Sequence, residues 1–322
     1  MSDVFILGAG FSRAVSLGMK LEMPLLVELA DKVEEVLIAN NTSHPVCGLF
    51  PRDLELWLSF LLDDHPWLTT AENEKNKQTG LLMLSTIRNR LFVSERMVAR
   101  PPEWFWRLVT WWHATRASVL TLNYDTLIER CAASFDIRSE NLYPVRLIPL
   151  QSIRMVAEEE QTFSFFKLHG SASWFAERAG SSQAEGIHCV SFASWIDEAL
   201  YVQDMIKNMN DFIVPPRFNK AIYLGHQTMH SLWSLAAEAL HAADRVFVLG
   251  YSLPPTDLEM RYFLASNSRR HDQEVYVADR NPEVVRRFGA IFGDTGIRFN
   301  AFGSGDDGPI PPLAEALYSG PL

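Results

Sequence analysis

The chain has 322 residues, 48% of them hydrophobic and 21% charged, which are the proportions of an ordinary globular protein and not of a disordered one. Its formal net charge of −10 argues against direct nucleic-acid binding as the main function, because phosphate binding requires a dense basic face. The three cysteines lie far apart and form no C-x-x-C pair, so they cannot build a zinc ribbon.

Cysteine usage and hydropathy predict the compartment. A sparse, odd number of cysteines fits a reducing compartment, and the sequence begins directly in a core strand and not in a basic, apolar signal sequence. No apolar run approaches the roughly 18 residues that a membrane-spanning helix needs. We therefore expect a cytoplasmic protein with no membrane partner.

The first predicted element is the strand in "VFILGAGFSRA", Val4 to Ala14. Its apolar run ends in Gly-Ala-Gly, a tight turn of bare backbone of the kind that holds phosphates at helix starts. The third small residue of the dinucleotide fingerprint is here Arg13, however, and no acidic residue closes a second strand about twenty residues on. From these residues alone, a nucleotide site and a plain tight turn both stay open.

Helix-like sequence follows for nearly a hundred residues. Residues 24 to 40 carry leucine and valine at helical spacing, and "RDLELWLSFLLDDHPW", "TGLLMLSTIRNRLF" and "PPEWFWRLVTWW" continue the pattern. This is too much helix for a simple crossover between strands. We therefore predict one domain over residues 1–322 with an inserted helical lobe at 24–116. We interpret the tryptophans of "EWFWRLVTWW" as core or oligomer contacts rather than as a ligand platform.

Five further strands are predicted at "SVLTLNYD", "FSFFKLHG", "RVFVLGYS", "EVYVAD" and "IRFNAF", each short and apolar as in strands that are buried on both faces. Predicted helices at residues 126–134, 228–242, 257–268 and 282–292 separate several of them. This alternation predicts an α/β protein with a doubly wound, Rossmann-like, mainly parallel sheet that has helices on both faces.

The predicted strands end in glycine or polar residues. In chain order these are Gly8, Gly10 and Ser12; Asn123 and Asp125; His169 and Gly170; Gly250, Tyr251 and Ser252; and Asp279. Ligands of open parallel sheets bind where the carboxyl ends of the strands converge. Taken singly, each residue also has a structural explanation as a helix cap, a turn residue or a satisfied histidine. As a set at one sheet edge, they indicate a binding site.

Four segments in this order, "GAGFS", "TLNYD", "KLHGSASW" and "LGYSLPPTD", resemble the sirtuin-like NAD-binding domain. The resemblance extends from Val4 to about Asp279 and includes a further "IVPPRFNK" block at Ile213 to Lys220. More specifically, the sequence is similar to the bacterial branch of this superfamily that lacks the zinc module and includes the NADases of antiphage defence. This resemblance implies NAD as a substrate, and no zinc.

The resemblance also implies roles for individual residues. Asn123 and His169 are the expected catalytic residues, with His169 as the base and Asn123, beside Asp125, at the nicotinamide ribose. The remaining expected contacts to the cofactor come from the glycine turn and from the later strand ends: Gly8, Ala9, Gly10, Phe11, Ser12, Asp125, Gly250, Tyr251, Ser252, Asp257 and Asp279. Asp279 stands where zinc-containing sirtuins commonly have asparagine, and a carboxylate there can accept both ribose hydroxyls.

Two departures from the deacylases of this family shape the expected function. The zinc ribbon is absent, and "EMPLL" replaces the G-I-P-D-F-R type loop that covers nicotinamide. We therefore expect an NAD+ hydrolase that releases nicotinamide and a linear or cyclic ADP-ribose, as an antiphage effector that depletes NAD when activated. Three alternatives stay open: an NAD-dependent protein deacylase, an ADP-ribosyltransferase, and a non-catalytic NAD-sensing module.

The family further implies a homo-oligomer and a co-encoded sensor or regulator, such as an ATPase or an Argonaute-type protein. No metal site is expected. The two histidines of "HQTMH", His226 and His230, have the spacing of zinc-protease helices, but Gln227 stands where the glutamate base belongs, and a helix face explains the spacing.

Overall fold

The computed structural model describes residues 2–150, 161–177, 186–192, 206, 209–216, 225–268, 273–293, 297–299 and 308–320. Residues 217–220 of the "IVPPRFNK" block lie outside these ranges. Within them, the chain folds around a six-stranded sheet whose observed strand pairs are all parallel.

The strands of this main sheet coincide with the six predicted apolar runs. They are β1 (Asp3–Leu7), β2 (Ser118–Thr121), β4 (Ser164–Lys167), β8 (Arg245–Leu249), β9 (Glu274–Ala278) and β10 (Ile297–Phe299). Their order across the sheet is β10-β9-β8-β1-β2-β4. All five residues of β1 are buried, which explains why its sequence is continuously apolar after Asp3 rather than alternating.

Helices cover this sheet in two groups. One group includes α1 (Ala9–Val15), α6 (Glu103–Thr115), α7 (Leu127–Ala133) and, from the C-terminal part, α12 (Ile310–Ser319). The other consists of α9 (Gln227–Ala242), α10 (Leu258–Asn267) and α11 (Pro282–Phe292). The prediction of a doubly wound, mainly parallel α/β fold is confirmed, and α11 has the predicted bounds.

The helical lobe, defined here as α2 to α5, lies between β1 and α6 in the chain. It consists of α2 (Leu26–Ala39), α3 (Pro45–Leu49), α4 (Leu54–Leu62) and α5 (Thr70–Met97), and α2, α4 and α5 pack against one another. A capping box between Thr69 and Glu72 starts α5. The following α6 returns to the main sheet, where Trp112 packs against Phe5 with ring centroids 5.3 Å apart.

A second, four-stranded sheet was not predicted. It contains β3 (Ile148–Pro149), β5 (Gly170–Glu177), β6 (Ile187–Cys189) and β7 (Met209–Ile213) in the order β3-β6-β5-β7. The short α8 (Ser139–Leu142) precedes it. Strand β5 runs antiparallel to both of its neighbours and begins directly after His169, so this sheet shapes the backbone beside the expected base.

Two glycine turns at the carboxyl ends of β1 and β8 pack directly on each other. The Gly10 amide donates to the Gly250 carbonyl over 2.9 Å, and the Gly8 amide donates to the Leu249 carbonyl over 3.2 Å. Gly250 has φ +61, and a Cβ atom there would lie 2.4 Å from the Phe11 nitrogen and 2.5 Å from the Gly10 carbonyl carbon. Glycine at position 250 therefore satisfies both a left-handed backbone and a backbone contact.

We expect Gly250→Ala to destabilise the protein more than Gly320→Ala. Gly320 is also left-handed, with φ +80 and ψ 15, but a Cβ there meets nothing within 4 Å. Both variants carry the left-handed penalty of about 1–2 kcal/mol, and only Gly250→Ala adds a clash of about 1–3 kcal/mol. Denaturant unfolding measures the difference; equal free energies of unfolding for the two variants would contradict the described contact.

Candidate functional site

A cavity of about 740 Å³ opens at the carboxyl ends of β1, β2, β4, β8 and β9. It lies at the switch point of the sheet, because the chain builds outward from β1 through β2 to β4 and then from β8 through β9 to β10. Its lining contains these predicted site residues: Gly8, Ala9, Gly10, Ser12, Asn123, Asp125, His169, Gly250, Tyr251, Ser252, Asp257 and Asp279. The strand-end residues thus share one cavity.

Phe11 is the predicted site residue that does not line the cavity. Its side chain is buried and contacts Trp104 and Phe105 edge-on, with ring centroids 5.9 and 5.7 Å away. The side chain of Phe11 therefore belongs to the core, and the role of this residue in cofactor binding stays a prediction. The cause is helical: α1 begins right after Gly8, and residue 11 points to the buried side of that helix.

Asn123, Ser12 and Asp125 form a hydrogen-bonded chain inside the cavity. The Asn123 Nδ2 group donates to the Gly8 carbonyl over 2.8 Å and to Ser12 Oγ over 2.9 Å. Ser12 Oγ in turn donates to Asp125 Oδ2 over 2.5 Å, a distance typical of a hydroxyl bound to a carboxylate. The two N–H groups of the Asn123 amide are thus engaged, and none of the hydrogen bonds among the described residues uses its carbonyl oxygen, which can therefore bind a ligand.

The buried ammonium group of Lys167 binds the backbone of residues 123–126 from the side of the main sheet. Lys167, at the end of β4, donates from Nζ to the Asp125 carbonyl and, over 2.9 Å, to Glu129 Oε1 on α7. Both side chains of this ion pair are fully buried. The hydroxyl of Tyr143 donates to the same Glu129 oxygen over 2.9 Å, and burial beside Glu129 raises the pKa of Tyr143 well above its ordinary value.

His169 reaches the cavity from the loop between β4 and β5. Only 7% of its surface is exposed, and its ring lies 6.5 Å from the Tyr124 ring between centroids. Its carbonyl accepts from the Val214 amide over 2.8 Å, and Val214 in turn accepts from the Tyr124 hydroxyl over 2.6 Å. Gly170 follows with φ +76, where a Cβ atom would lie 2.3 Å from the Phe212 carbonyl oxygen. This close approach explains the glycine of the H-G pair.

The opposite end of the cavity is lined by two carboxylates with different surroundings. Asp257 accepts a hydrogen bond from the buried Tyr251 hydroxyl over 2.7 Å. Asp279, at the end of β9, is half-buried and accepts from the Asn281 amide over 2.8 Å. Burial raises the pKa of Asp279, against the opposing effects of the Asn281 amide and of Arg287. Arg280 brings a cation to the same end of the lining.

Sequence reasoning missed the wall that faces the strand ends. The helical lobe supplies Leu29, Glu55, Ile87 and Leu91, and the segment 22–27 adds further lining residues. Helical periodicity identified the apolar faces of these helices but could not show that part of them faces a cavity. The feature of the sequence most closely related to this wall is Arg13, which stands at the third small position of the glycine fingerprint and contacts Glu22 in the segment 22–27.

Arg13 ties the cavity-lining segment 22–27 to the glycine turn. Its guanidinium pairs with Glu22 over 3.0 Å and also with Glu28 on α2. Glu28 accepts from the Leu25 amide over 2.9 Å, so the segment is held at both Glu22 and Leu25. Partial burial raises the pKa of Glu28, but the Leu25 amide and Arg13 together lower it below its ordinary value. "EMPLL" is therefore a defined part of the cavity wall.

The other candidate features give no ligand site in the part of the chain that the structure describes. No group of three or more His, Cys, Asp or Glu side chains is placed to hold a metal ion there. His226 instead caps α9, where its ring accepts from the Thr228 amide over 3.3 Å. None of the described helices combines the length and apolarity needed to cross a membrane.

The class that the fold and cavity define is an open α/β protein with a ligand cavity at its switch point. No protein-family model matches the chain, and no curated protein matches it. Among solved structures, it is similar to one from work on the mechanism and regulation of Sir2 enzymes, with 13% identity, a TM-score of 0.47, and coverage of 99% of this chain and 92% of that chain.

Two further solved structures show the same level of similarity. One concerns sirtuin substrate affinity, with 12% identity, a TM-score of 0.45, and coverage of 100% of this chain and 94% of that chain. The other is Sir2 with a p53 peptide and NAD+, with 11% identity, a TM-score of 0.43, and coverage of 99% and 93%. The fold described above rests on strand pairing and not on these similarities.

We expect Lys167→Met to cost about 3–5 kcal/mol of stability, because it leaves the Glu129 carboxylate buried without its cation. The double variant Lys167→Met with Glu129→Gln removes both charges and is expected to recover much of this loss. Denaturant unfolding of both single variants and the double variant measures the coupling. A double variant whose destabilisation equals the sum of the two single effects would contradict a coupled ion pair.

Proposed function

We propose that the protein binds NAD+ in this cavity and breaks the bond between nicotinamide and ribose, with water as the acceptor. The observation that carries this proposal is the convergence of Asn123 and His169 with the carboxylates of Asp125 and Asp279 on one switch-point cavity. Turns, caps and core packing explain these residues singly. They do not explain why an amide, an imidazole and two carboxylates line the same cavity.

The cavity and its donor set fit a dinucleotide. A volume of about 740 Å³ lies within the roughly 300–1,000 Å³ range of small-molecule sites. Asp279 offers acceptors for ribose hydroxyls, and Arg280 offers a cation for a pyrophosphate. The amides of Gly8, Gly10 and Phe11 already donate to backbone carbonyls. The glycine turn thus supplies space for the pyrophosphate more than it supplies amide donors.

The residues present match what this bond cleavage requires. The nicotinamide of NAD+ is a cationic leaving group that departs neutral, so no general acid is needed, and the ribose passes through an oxocarbenium-like state. The pair of electrons of the breaking C1′–N bond goes to nicotinamide, the oxygen of water bonds to C1′, and the proton of that water passes to His169. The Asn123 carbonyl oxygen orients the water or a ribose hydroxyl by accepting a hydrogen bond.

We expect both Asn123→Ala and His169→Ala to lower nicotinamide release from NAD+, by about 10²- to 10⁴-fold for the base and by about 10²-fold for the orienting amide. Asn141→Ala and His241→Ala, at exposed positions away from the cavity lining, are the matched controls and should keep wild-type turnover. Nicotinamide is measured by chromatography at several protein concentrations, without any peptide.

Three outcomes separate the possible functions. Release that both site variants lose and both controls keep supports hydrolysis. Full turnover in Asn123→Ala and His169→Ala would contradict the assigned roles. Binding of NAD+ by calorimetry with no nicotinamide release under any condition would support the non-catalytic sensor instead.

A second candidate, NAD-dependent deacylation of a protein, is favoured by the rim of the cavity. Leu25, Leu26 and Val27 line it and are 38%, 39% and 49% exposed, which is unusual for three consecutive apolar side chains. An aliphatic acyl group is a ligand of matching polarity. Both candidates begin with the same loss of nicotinamide, so the acceptor is what distinguishes them.

We expect nicotinamide release to proceed at the same rate with and without an acetylated or propionylated lysine peptide if water is the acceptor. A deacylase would show release that requires the peptide and falls several-fold in Leu26→Ser, with the peptide's KM rising because apolar contact is lost. Leu49→Ser, at an exposed leucine outside the cavity, is the control. Strict dependence on the peptide would exclude free hydrolysis. Labelled protein acceptors would identify an ADP-ribosyltransferase.

We further infer a biological setting from the resemblance of the motifs to antiphage NADases. Unrestrained NAD+ hydrolysis is toxic to the cell that carries it, which favours an inhibited resting state that a partner or self-assembly releases. A co-encoded sensor and a homo-oligomer are the expected regulators. Cellular NAD+ that stays constant during phage infection of cells expressing the intact system would contradict this setting.

A further inference from the structure

Glu95, near the end of α5, is a buried carboxylate that connects the helical lobe to the candidate catalytic segment, defined here as residues 123–126. This side chain is 4% exposed. Its Oε1 atom accepts from the Thr126 amide over 2.9 Å, and its Oε2 atom accepts from the Thr126 hydroxyl over 2.7 Å. Thr126 is the N-cap residue of α7, and its own side chain makes no capping hydrogen bond. Glu95 thus binds the start of a helix that belongs to the main body.

The charges around Glu95 come from the same segment. Arg130 on α7 donates from Nε to the Thr126 hydroxyl over 3.0 Å, and this Nε lies 3.7 Å from Glu95 Oε2. Burial and the nearby Asp125 raise the pKa of Glu95, Arg130 lowers it, and the result is about 7. A carboxylate that is buried at such a cost requires compensating partners, and Thr126 and Arg130 are those partners.

Thr126 follows Asp125 directly and lies three positions after Asn123 in the chain. From the turn after β1, the Asn123 amide and Asp125 carboxylate are held by Ser12. From the sheet, the Asp125 carbonyl is held by Lys167. Glu95 provides the third attachment, and it comes from an element that is inserted between β1 and β2.

The same face of α5 also lines the cavity. Ile87 and Leu91 are lining residues and lie four residues apart, and Glu95 is a further four residues along this helix. Positions at this spacing share one helix face. A displacement of α5 would therefore act on the cavity wall and on Thr126 together.

We propose that Glu95 is a positioning residue, through which the helical lobe sets the placement of Asn123 and Asp125. This inference rests on the proposed function for its kinetic consequence, and on the contacts alone for its structural consequence. Glu95 does not line the cavity, so it is not placed to exchange a proton with a bound substrate. Its effect passes through Thr126 and the backbone of the segment.

The test compares Glu95→Ala, Glu95→Gln and Asn76→Ala in the full chain. Glutamine keeps the shape and a hydrogen-bonding group for Thr126, whereas alanine keeps neither. Asn76 is a matched control, because it is also a buried polar residue of α5 but lies away from the cavity lining and bonds to His44. Thr126→Val provides a second variant, which removes only the hydroxyl donor, in case Glu95→Ala fails to fold.

Two measurements are made on each variant. Amide hydrogen exchange over residues 123–131 is expected to be at least about tenfold faster in Glu95→Ala and Thr126→Val than in the wild type, and within about threefold in Glu95→Gln and Asn76→Ala. The kcat of nicotinamide release is expected to fall about 10- to 100-fold in Glu95→Ala, with KM changed less than about threefold, and to recover in Glu95→Gln.

Wild-type exchange over residues 123–131 in Glu95→Ala or Thr126→Val would overturn the proposal, as would equal effects of Asn76→Ala and Glu95→Ala on kcat. Hydrogen exchange does not depend on catalysis, so a wild type that binds NAD+ but releases no nicotinamide under any condition would contradict the proposed function while the exchange result still decides the coupling. Faster exchange with unchanged kcat and KM would refute the positioning role in a working enzyme.

Discussion

The contact between the two glycine turns is the constraint on which the rest of the site depends. Gly250 must be a glycine both for its left-handed backbone and for its approach to Gly10, and the amides of Gly8 and Gly10 bind the carbonyls of Leu249 and Gly250. These contacts place the ends of β1 and β8 in fixed register at the switch point of the sheet. The cavity exists between elements that this contact holds together.

The segment that carries Asn123 and Asp125 depends on polar contacts from three separate elements. Each contact removes a polar or charged group from water, which is unfavourable unless partners compensate for it. Ser12, Lys167 and Glu95 supply those partners through hydrogen bonds to the segment. A loop with so many buried hydrogen bonds has one well-defined conformation, as preorganised catalytic groups require. Stability and site geometry are therefore properties of the same network.

The cavity has two chemically different sides. Strand ends contribute amide, hydroxyl, imidazole and carboxylate groups, whereas the helical lobe contributes mainly apolar side chains such as Leu29, Ile87 and Leu91. An apolar wall opposite polar groups lowers the local dielectric, which strengthens the electrostatic interactions of a bound ligand and limits the access of water. This arrangement fits the proposed cleavage of NAD+. The exposed apolar rim fits an acyl acceptor, which is the second proposed function.

Sequence alone determined the parallel sheet and the set of residues at its strand ends, because buried strands are continuously apolar and turns need glycine or polar residues in any context. Only the tertiary structure decided the rest. It formed the second sheet from short strands that are distant from one another in the sequence, packed Phe11 in the core, brought Ile87 to the cavity and placed Glu95 on Thr126. The physical reason is that a local pattern reports whether an element is buried, whereas the partner of a side chain depends on packing between elements far apart in the chain.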